Sequence, residues 1–552
     1  MSLASRFVAD RMGLGKRKCR ARITKDIMVP MADGVELATM LFEPDMPGPH
    51  PTILMREPYG LSGFATIGEI YAERGYNVVL QACRGTDKSG GTFDPLSNER
   101  DDGLATLDWI KRQPWFDGRL GTSGPSYLGY TQWAICDALP KQSAMAVKVT
   151  SAEFKSIVFP GGGFAVGLWL SWIQTVEGIR NNPLGLMQRM FTGGIDKMTL
   201  RATMKLPLRD ADKRVVGHEV EFWHRWMTEA VGNDEFWRPM DHTHRINGRT
   251  PPTSFTSGWY DFMLDQLLRD YALLVDAGQK PQLTVGPWFH VSPELQAESA
   301  RQTLYWMNEK LLGEPPAGRK SVRIHVSGRN EWHDFDTWPP GPTDPQIWHL
   351  HPKGVLSTRP VLASPPDTYR YDPRDPTPAV GGAMFAFTGA GPVDQKPLET
   401  RKDVLVYTSE PLFTDLTVMG QVRVVLHARS SLVNTDFLVR LSDVDENGVS
   451  VNICDGFIRK TSADPAVPDD IWKITLRMHA TAHTFKRDHR LRVVVASGAH
   501  PRFARNTGTD EKLGDAVRLE AADIEVFHDP QRPSAIHLPV FELRAESRVQ
   551  LS

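Results

Sequence analysis

The chain contains 552 residues, of which 41% are hydrophobic and 24% are charged, a composition typical of a globular protein with a large core. At about 150 residues per domain, this length suggests three or four domains. The formal net charge of −2 gives no basis for binding nucleic acid or an anionic membrane surface. No run of about eighteen apolar residues occurs, so we predict no membrane-spanning helix.

Residues 1–25 form a basic N-terminal extension. No apolar segment of secretory type follows its arginines and lysines, so we expect no signal peptide. We interpret the extension as a solvated or loosely docked arm rather than a membrane anchor. The four cysteines are scattered and form no CxxC pair, which argues against a zinc knuckle or a disulfide framework. Unpaired thiols fit a reducing compartment, so we expect a cytoplasmic protein.

Residues 26–150 alternate between short apolar runs and helical patterns. A hairpin is predicted over 26–45, because Asp33-Gly34 separates two alternating apolar runs. Buried strands are predicted at Thr52–Met55, Tyr76–Gln81 and Leu120–Thr122, and helices at Ile67–Arg74, Asp101–Gln113 and from beyond Ser126 through Ala138. This order predicts a mostly parallel sheet with helices on both faces, which is the first part of an α/β core.

The pattern becomes helical over residues 151–245, where strand-like alternation is nearly absent. We predict that this segment is a helical cap inserted into the core. Its aromatic residues, among them Trp169 and Trp172, have two interpretations. Either they form a core between helices, or they line an acyl or aryl pocket beneath a lid.

The α/β pattern resumes over residues 246–345, the second part of the predicted core. Strands are predicted at Thr253–Ser257, Gln282–Val285 and Val322–Val326, and helices at Leu264–Asp276 and Leu304–Leu312. The proline-rich stretch 338–342 is interpreted as a linker. Residues 346–552 then contain many short strands separated by turns, which is typical of an antiparallel β-sandwich or jelly roll.

The stretch Leu120–Gly129 reads Leu-Gly-Thr-Ser-Gly-Pro-Ser-Tyr-Leu-Gly and resembles a nucleophile elbow. Such an elbow is a strained turn between a strand and a helix that raises a serine hydroxyl above the sheet. The elbow is usually written G-x-S-x-G, and here the second glycine, Gly129, stands one place late. Ser126 is the candidate nucleophile; Ser123 is a rival, but no glycine follows it two places later.

A serine nucleophile needs a base and an acid that orients the base, and in α/β-hydrolases these follow in the order Ser, acid, His. The strand at 253–257 continues into Gly-Trp-Tyr-Asp261, and the strand at 282–285 continues into Gly-Pro-Trp-Phe-His290. Because sequential strands usually neighbour each other, Asp261 and His290 are expected to meet at Ser126. Asp265 and Asp270 are rival acids, but both fall inside the following helix.

The oxyanion of the reaction needs two hydrogen-bond donors. One is the backbone amide of Tyr127, directly after the nucleophile. The other is expected on the loop after Thr52–Met55, where the phenol of Tyr59 is the side chain best suited to donate. No Walker A motif and no strand–GxGxxG–helix unit occurs, and His242-Thr243-His244 lacks a metal-type carboxylate pattern, so we predict no cofactor and no metal.

Taken together, the motifs resemble those of the cocaine esterase-like (CocE/NonD) serine hydrolases, relatives of the X-prolyl dipeptidyl peptidase and α-amino-acid ester hydrolase group. The resemblance covers the chain from about residue 25 to the end, with the motifs in family order. The matching stretches are 31–35 (MADGV), 56–59 (REPY), 81–85 (QACRG), 124–129 (GPSYLG), 258–261 (GWYD), 286–290 (GPWFH), 434–437 (NTDF) and 501–506 (PRFARN).

The resemblance implies Ser126 as nucleophile, His290 as base and Asp261 as acid, with Tyr59 and the Tyr127 amide as oxyanion donors. It also implies an α/β-hydrolase core, a helical cap and a jelly-roll domain, and it explains the late glycine, since G-x-S-Y-x-G is the form of the elbow in this family. Family members often have glycine directly after the triad acid. This chain has Phe262 there, which narrows the pocket, so substrate identity does not carry over.

The leading hypothesis is a serine hydrolase that cleaves carboxylic esters of a small molecule through an acyl-enzyme intermediate. Alternatives are an amidase or X-prolyl peptidase, an acyltransferase with the same triad, and a non-catalytic protein that binds carbohydrate through the jelly roll. An X-prolyl peptidase needs acidic groups for a free amino terminus, and the sequence places no such cluster. We expect a small-molecule ester or amide as the binding partner, with no nucleic acid and no membrane, and a homodimer is left open. Residues proposed to contact the substrate are Trp169, Trp172, Trp259, Phe262 and Trp288.

Overall fold

The computed structural model describes residues 3–316, 318–341, 345–465, 470–543 and 547–549, which form a ten-stranded sheet followed by a twelve-stranded sheet. The first sheet carries helices and belongs to a mixed α/β domain, and the second belongs to a C-terminal all-β domain. This arrangement confirms the α/β fold class and the change to β-structure in the C-terminal part. Within these residues, no helix is long and apolar enough to cross a membrane.

The ten-stranded sheet has the order β1-β2-β4-β3-β5-β6-β7-β8-β9-β10, in which β3 to β9 run parallel and the outer strands are antiparallel. Its central strands are buried on both faces, as expected for strands covered by helices on each side. The strands are β1 Ala21–Pro30, β2 Glu36–Pro44, β3 His50–Glu57, β4 Asn77–Ala82, β5 Phe116–Pro125, β6 Gln142–Lys148, β7 Thr253–Tyr260, β8 Gln282–Phe289, β9 Val322–Val326 and β10 Glu331–Phe335.

Helices cover both faces of this sheet. Between β6 and β7 the alternation of strands and helices is interrupted by a purely helical segment, which runs from α5 to α11. Single turns of 3₁₀ helix lie at Cys136–Ala138, Pro160–Gly162, Leu208–Asp210, Arg238–Met240, Thr243–Arg245 and Pro352–Gly354. The α-helices are α1 Leu3–Arg11, α2 Leu61–Ala72, α3 Glu99–Lys111, α4 Tyr127–Trp133, α5 Lys155–Val158, α6 Val166–Asn181, α7 Pro183–Phe191, α8 Gly194–Thr203, α9 Ala211–Val216, α10 Glu221–Thr228, α11 Asp234–Trp237, α12 Leu264–Asp276, α13 Pro293–Leu311 and α14 Lys396–Glu399.

The N-terminal extension is packed against the α/β domain, which corrects its interpretation as a solvated or loosely docked arm. Ala9 and Leu14 are buried in a core cluster with residues of α2 and α13. Arg301 of α13 donates to the carbonyl of Met12 at 2.6 Å, and β1 already begins at Ala21. The extension therefore contributes both a helix and part of an edge strand to this domain.

The C-terminal domain is built around the long strand β15, which pairs with β18 along one edge and with β20 and β22 along the other. Alternate side chains of these strands form one large apolar core. The strands are β11 Pro345–His351, β12 Val355–Ser357, β13 Asp367–Tyr371, β14 Val404–Thr408, β15 Leu416–Ser430, β16 Thr435–Val444, β17 Ser450–Lys460, β18 Trp472–Phe485, β19 Arg490–Ala496, β20 Ala522–Asp529, β21 Arg532–Pro533 and β22 Ala535–Pro539.

Candidate active site

Ser126 lies in a strained turn between β5 and α4. Its backbone has φ 57° and ψ −122°, a left-handed conformation that is costly for a residue with a Cβ atom. Two glycines permit this turn. A Cβ atom at Gly124 would lie 2.3 Å from the Cβ of Leu128, and one at Gly129 would lie 2.4 Å from the Cγ2 of Thr150. The late glycine of the motif is therefore required where α4 crosses the segment that follows β6.

The side chains of Ser126, His290 and Asp261 form a continuous hydrogen-bonded chain. The Oγ of Ser126 is 3.1 Å from Nε2 of His290, and Nδ1 of His290 is 3.2 Å from Oδ2 of Asp261. Asp261 is completely buried and His290 is 6% exposed. Because the carboxylate only accepts hydrogen bonds, it holds the proton on Nδ1 and leaves Nε2 free to accept from the serine hydroxyl.

The sheet order explains how these residues meet. Asp261 directly follows β7 and His290 directly follows β8, and these two strands are parallel neighbours. Their carboxyl ends therefore lie at the same edge of the sheet as the elbow after β5. Asp261 is also held by the backbone amide of Met263, which donates to its other carboxylate oxygen at 2.6 Å.

The rival residues make other contacts. Asp265 accepts a hydrogen bond from the backbone amide of Ala480, and Asp270 accepts from the amide of Ala152 and pairs with the adjacent Arg269. Ser123 lies beneath the elbow, where its hydroxyl accepts from Nζ of Lys148 at 3.3 Å. None of the three is among the hydrogen-bond partners of His290 in the described part of the chain.

The phenol of Tyr59 lies at Ser126 on a loop that starts at the end of β3. Its oxygen accepts a hydrogen bond from the indole Nε1 of Trp172 at 3.1 Å. Burial raises the pKa of Tyr59 to about 12, against the opposing effect of hydrogen bonds with Trp172 and Ser126. The phenol therefore stays protonated at neutral pH and keeps a proton that it can donate toward Ser126.

Tyr127 contributes through its backbone rather than its side chain. It is the first residue of α4, and an amide in this position has no acceptor within its own helix. The phenol of Tyr127 points elsewhere, donating to Oε1 of Glu99 and accepting from the backbone amide of Leu96, both at 2.8 Å. Two donors, the Tyr59 phenol and the Tyr127 amide, are thus adjacent to the serine.

Glu57 holds the backbone of the Tyr59 loop, a role that the sequence did not reveal. Its Oε2 accepts from the amide of Tyr59 at 2.5 Å, while its buried Oε1 has no hydrogen-bond partner among the described residues. Burial is the main cause that raises the pKa of Glu57 to about 8, and the nearby charge of Asp87 adds to it. The carboxyl is therefore mainly protonated at neutral pH, which lowers the negative charge behind the Tyr59 loop.

A cavity of about 350 Å³ lies above Ser126 between the cap and the C-terminal domain. Trp169 and Trp172 of α6 and Phe262, which we proposed as substrate contacts, line it, and no Asp, Glu, Lys or Arg is among the described residues of its lining. The sequence did not reveal that the C-terminal domain also contributes. Phe385 and Phe387 reach the cavity from a loop that no local pattern links to the elbow.

Trp259 and Trp288 lie outside this cavity, which corrects their proposed role in substrate contact. The indole of Trp259 donates to the carbonyl of His325 at 2.7 Å and packs on Trp338. Trp338 is the first residue of the predicted linker 338–342, yet its side chain is buried. Pro342 of that linker lies outside the described residues. Trp288 packs on Trp332 of β10. Both tryptophans stabilise the strand ends that carry Asp261 and His290.

Comparison with known proteins shows the family to which the chain belongs. It is 31% identical to cocaine esterase from Rhodococcus sp. (strain MB1 Bresler), over 94% of this chain and 99% of that protein. The chain belongs to the cocaine esterase-like CocE/NonD family. Residues 33–292 match the family model described as X-Pro dipeptidyl-peptidase (S15 family), and residues 317–537 match the X-Pro dipeptidyl-peptidase C-terminal non-catalytic domain.

Several solved structures have the same fold over almost the whole of this chain. An aminopeptidase from the archaeon Thaumarchaeota archaeon superposes with a TM-score of 0.78 at 21% identity, covering 96% of this chain and 98% of that chain. An α-amino acid ester hydrolase superposes equally well at 22% identity, with the same coverage of both chains. A CocE/NonD family hydrolase from Staphylococcus aureus gives 0.66 at 16% identity, covering 94% of each chain.

Proposed function

We propose that this CocE/NonD protein is a serine hydrolase that cleaves carboxylic esters of a small molecule through an acyl-enzyme intermediate. One observation carries the proposal. The imidazole of His290 contacts the hydroxyl of Ser126 through one nitrogen and the buried carboxylate of Asp261 through the other. This arrangement supports Ser126 as nucleophile, His290 as general base and Asp261 as the acid that orients the base.

In the proposed reaction, Ser126 Oγ attacks the ester carbonyl while Nε2 of His290 takes its proton. The negative charge that develops on the carbonyl oxygen is stabilised by the phenol of Tyr59 and the amide of Tyr127. The C–O bond to the alcohol then breaks, and His290 gives the proton to the departing oxygen. A water molecule, deprotonated by the same imidazole, attacks the acyl-enzyme and releases the carboxylic acid and free Ser126.

The cavity above Ser126 favours esters over peptides with a free amino terminus. A free ammonium group needs an anionic partner when it leaves water, and no carboxylate is among the described residues that line this cavity. The aromatic lining instead suits an uncharged apolar acyl group. The similarity to a protein named cocaine esterase points the same way.

Peptide or amide cleavage is the second candidate, because the family model that matches residues 33–292 is that of a dipeptidyl-peptidase. Transfer of the acyl group to an alcohol or amine would use the same residues. Product analysis separates these reactions: hydrolysis of an ester in the presence of a competing amine should give the acid as the main product, and a predominant amide product would identify a transferase.

The function is tested by hydrolysis of a p-nitrophenyl ester. Ser126→Ala should lose nearly all turnover while its circular dichroism spectrum and melting temperature stay close to those of the wild type. Ser123→Ala removes the rival serine and should retain activity within about threefold, since the hydroxyl of Ser123 accepts a hydrogen bond from Lys148 and is not a partner of His290. Full activity in Ser126→Ala would exclude the proposed nucleophile.

A further inference from the structure

A second and larger cavity lies beside the one above Ser126. It has a volume of about 620 Å³, is open to solvent on one part of its boundary, and is otherwise bounded by α6 and α8 of the cap, the start of α12, and the strands β17 and β18 with the loop 379–389 of the C-terminal domain. We call it the interdomain chamber. Its volume is that of a pocket for a small organic molecule.

The two cavities share a wall. Leu168, Phe262 and Phe385 line both of them. The ring of Phe262 lies 4.4 Å from the imidazole of His290, centroid to centroid, and the ring of Phe385 lies 5.8 Å from it. The two phenylalanines meet edge to face at 6.1 Å. The boundary between the cavities is therefore an aromatic constriction that touches the proposed general base.

The position of this constriction indicates which part of a substrate the chamber receives. In a serine hydrolase the histidine passes its proton to the leaving group, so the leaving group lies on the histidine side of the nucleophile. Here that side leads to Phe262 and Phe385. Tyr59, Trp169 and Trp172 surround Ser126 within the smaller cavity, which leaves the acyl group there.

We propose that the interdomain chamber is the binding site for the alcohol part of the ester, and that Phe262 sets the width of its entrance. The substrates are then esters of a bulky, mainly apolar alcohol that carries an uncharged polar substituent. This inference rests on the proposed esterase function and adds a substrate class to it.

The lining of the chamber supports this class. Leu200, Met384 and Phe457 provide apolar wall, and Asp196 and Lys197 line the chamber from the cap. Another part of the wall holds Asp265, Asp455, His479 and Arg502. Those groups already have partners. Nη1 of Arg502 donates to Asp455 at 2.7 Å, and Asp265 accepts from the Ala480 amide with its other oxygen 3.8 Å from His479. Because Arg502 is paired with Asp455 and Asp265 already accepts a backbone hydrogen bond, this end favours hydrogen bonds to a neutral group over binding of an isolated ion.

The test compares two ester series with variants that fill the chamber. Leu200→Trp and Met384→Trp enlarge side chains that line the chamber but do not line the cavity that contains Ser126 and His290. We expect kcat/KM for esters of a bulky ring-bearing alcohol to fall about tenfold or more, while ethyl esters of the same acid stay within about twofold. For ethyl esters of different acids, the relative values of kcat/KM should be the same in the variants and in the wild type.

The matched control is Leu184→Trp, which makes the same substitution on exposed α7 outside both cavities and should alter neither series. Phe262→Ala provides the opposite change, since opening the constriction should raise the preference for the bulky alcohol over ethanol. The inference is overturned if filling the chamber leaves the preference unchanged or lowers both series equally in variants with wild-type melting temperatures. Failure of the proposed esterase function would give a different result: the wild type would show no Ser126-dependent hydrolysis of any ester.

Discussion

The phenol of Tyr59 provides the most quantitative test of how the site stabilises charge. Tyr59→Phe removes one hydroxyl and leaves the ring in place. Loss of one preorganised oxyanion donor typically lowers kcat about 10²- to 10³-fold, which corresponds to about 3–4 kcal/mol of transition-state stabilisation. The same change leaves the indole of Trp172 without its acceptor at 3.1 Å, at a cost of about 1–3 kcal/mol in folding stability.

The assay is steady-state hydrolysis of an ethyl ester with wild type, Tyr59→Phe and Trp172→Phe. The second variant removes the hydrogen bond between the two side chains but keeps the phenol, so it should lose much less activity than Tyr59→Phe. Because the pKa of Tyr59 is about 12, the ratio between wild type and Tyr59→Phe should be constant from pH 6 to pH 9. A loss below about threefold in Tyr59→Phe would refute the role of the phenol.

Three further predictions follow from the surrounding groups. Asp261→Asn should lower kcat about 10⁴-fold with little change in KM for an ethyl ester, because the amide no longer fixes the His290 tautomer. Burial raises the pKa of Glu57 from 4.5 to about 8, so the folded state binds this proton more tightly; relative to Glu57→Gln, the free energy of unfolding of the wild type should fall as pH rises between about 4.5 and 8. Burial lowers the pKa of Lys148 from 10.5 to about 7, so relative to Lys148→Met the free energy of unfolding of the wild type should rise between about pH 7 and 10.5. Urea titrations at several pH values measure both effects. If the free energies of unfolding of the wild type and of either variant change in parallel with pH, the corresponding pKa shift is contradicted.

The sequence predicted the bounds of some strands and helices and missed the ends of others. The strand at 322–326 and the helix at 264–276 have the predicted bounds, since each is an uninterrupted pattern between turn residues. Helix α13 begins at Pro293, well before its predicted start. Its N-terminal signal is present in the sequence, because Ser292 caps it and proline occupies its first turn. The first half of this helix is polar, so apolar periodicity alone did not reveal it.

The residues of the candidate site also differ in how far the sequence predicts them. Asp261 and His290 were predictable because each stands directly after a parallel strand, where a side chain must reach the edge of the sheet that carries the elbow. Phe385 was not predictable, because it comes from another domain and its position depends on long-range packing. Trp259 and Trp288 stand close along the chain to the triad candidates, but their side chains pack on Trp338 and Trp332 instead of lining the cavity.

The central claim is that the relay from Asp261 through His290 activates Ser126. Labelling with a fluorophosphonate measures this directly, since the serine oxygen displaces fluoride and remains bonded to phosphorus. We predict one label per chain, located by peptide mass mapping on the peptide that contains Ser126, and almost no labelling of His290→Ala at the same reagent concentration. Stoichiometric labelling of another residue, or undiminished labelling of His290→Ala, would contradict the account.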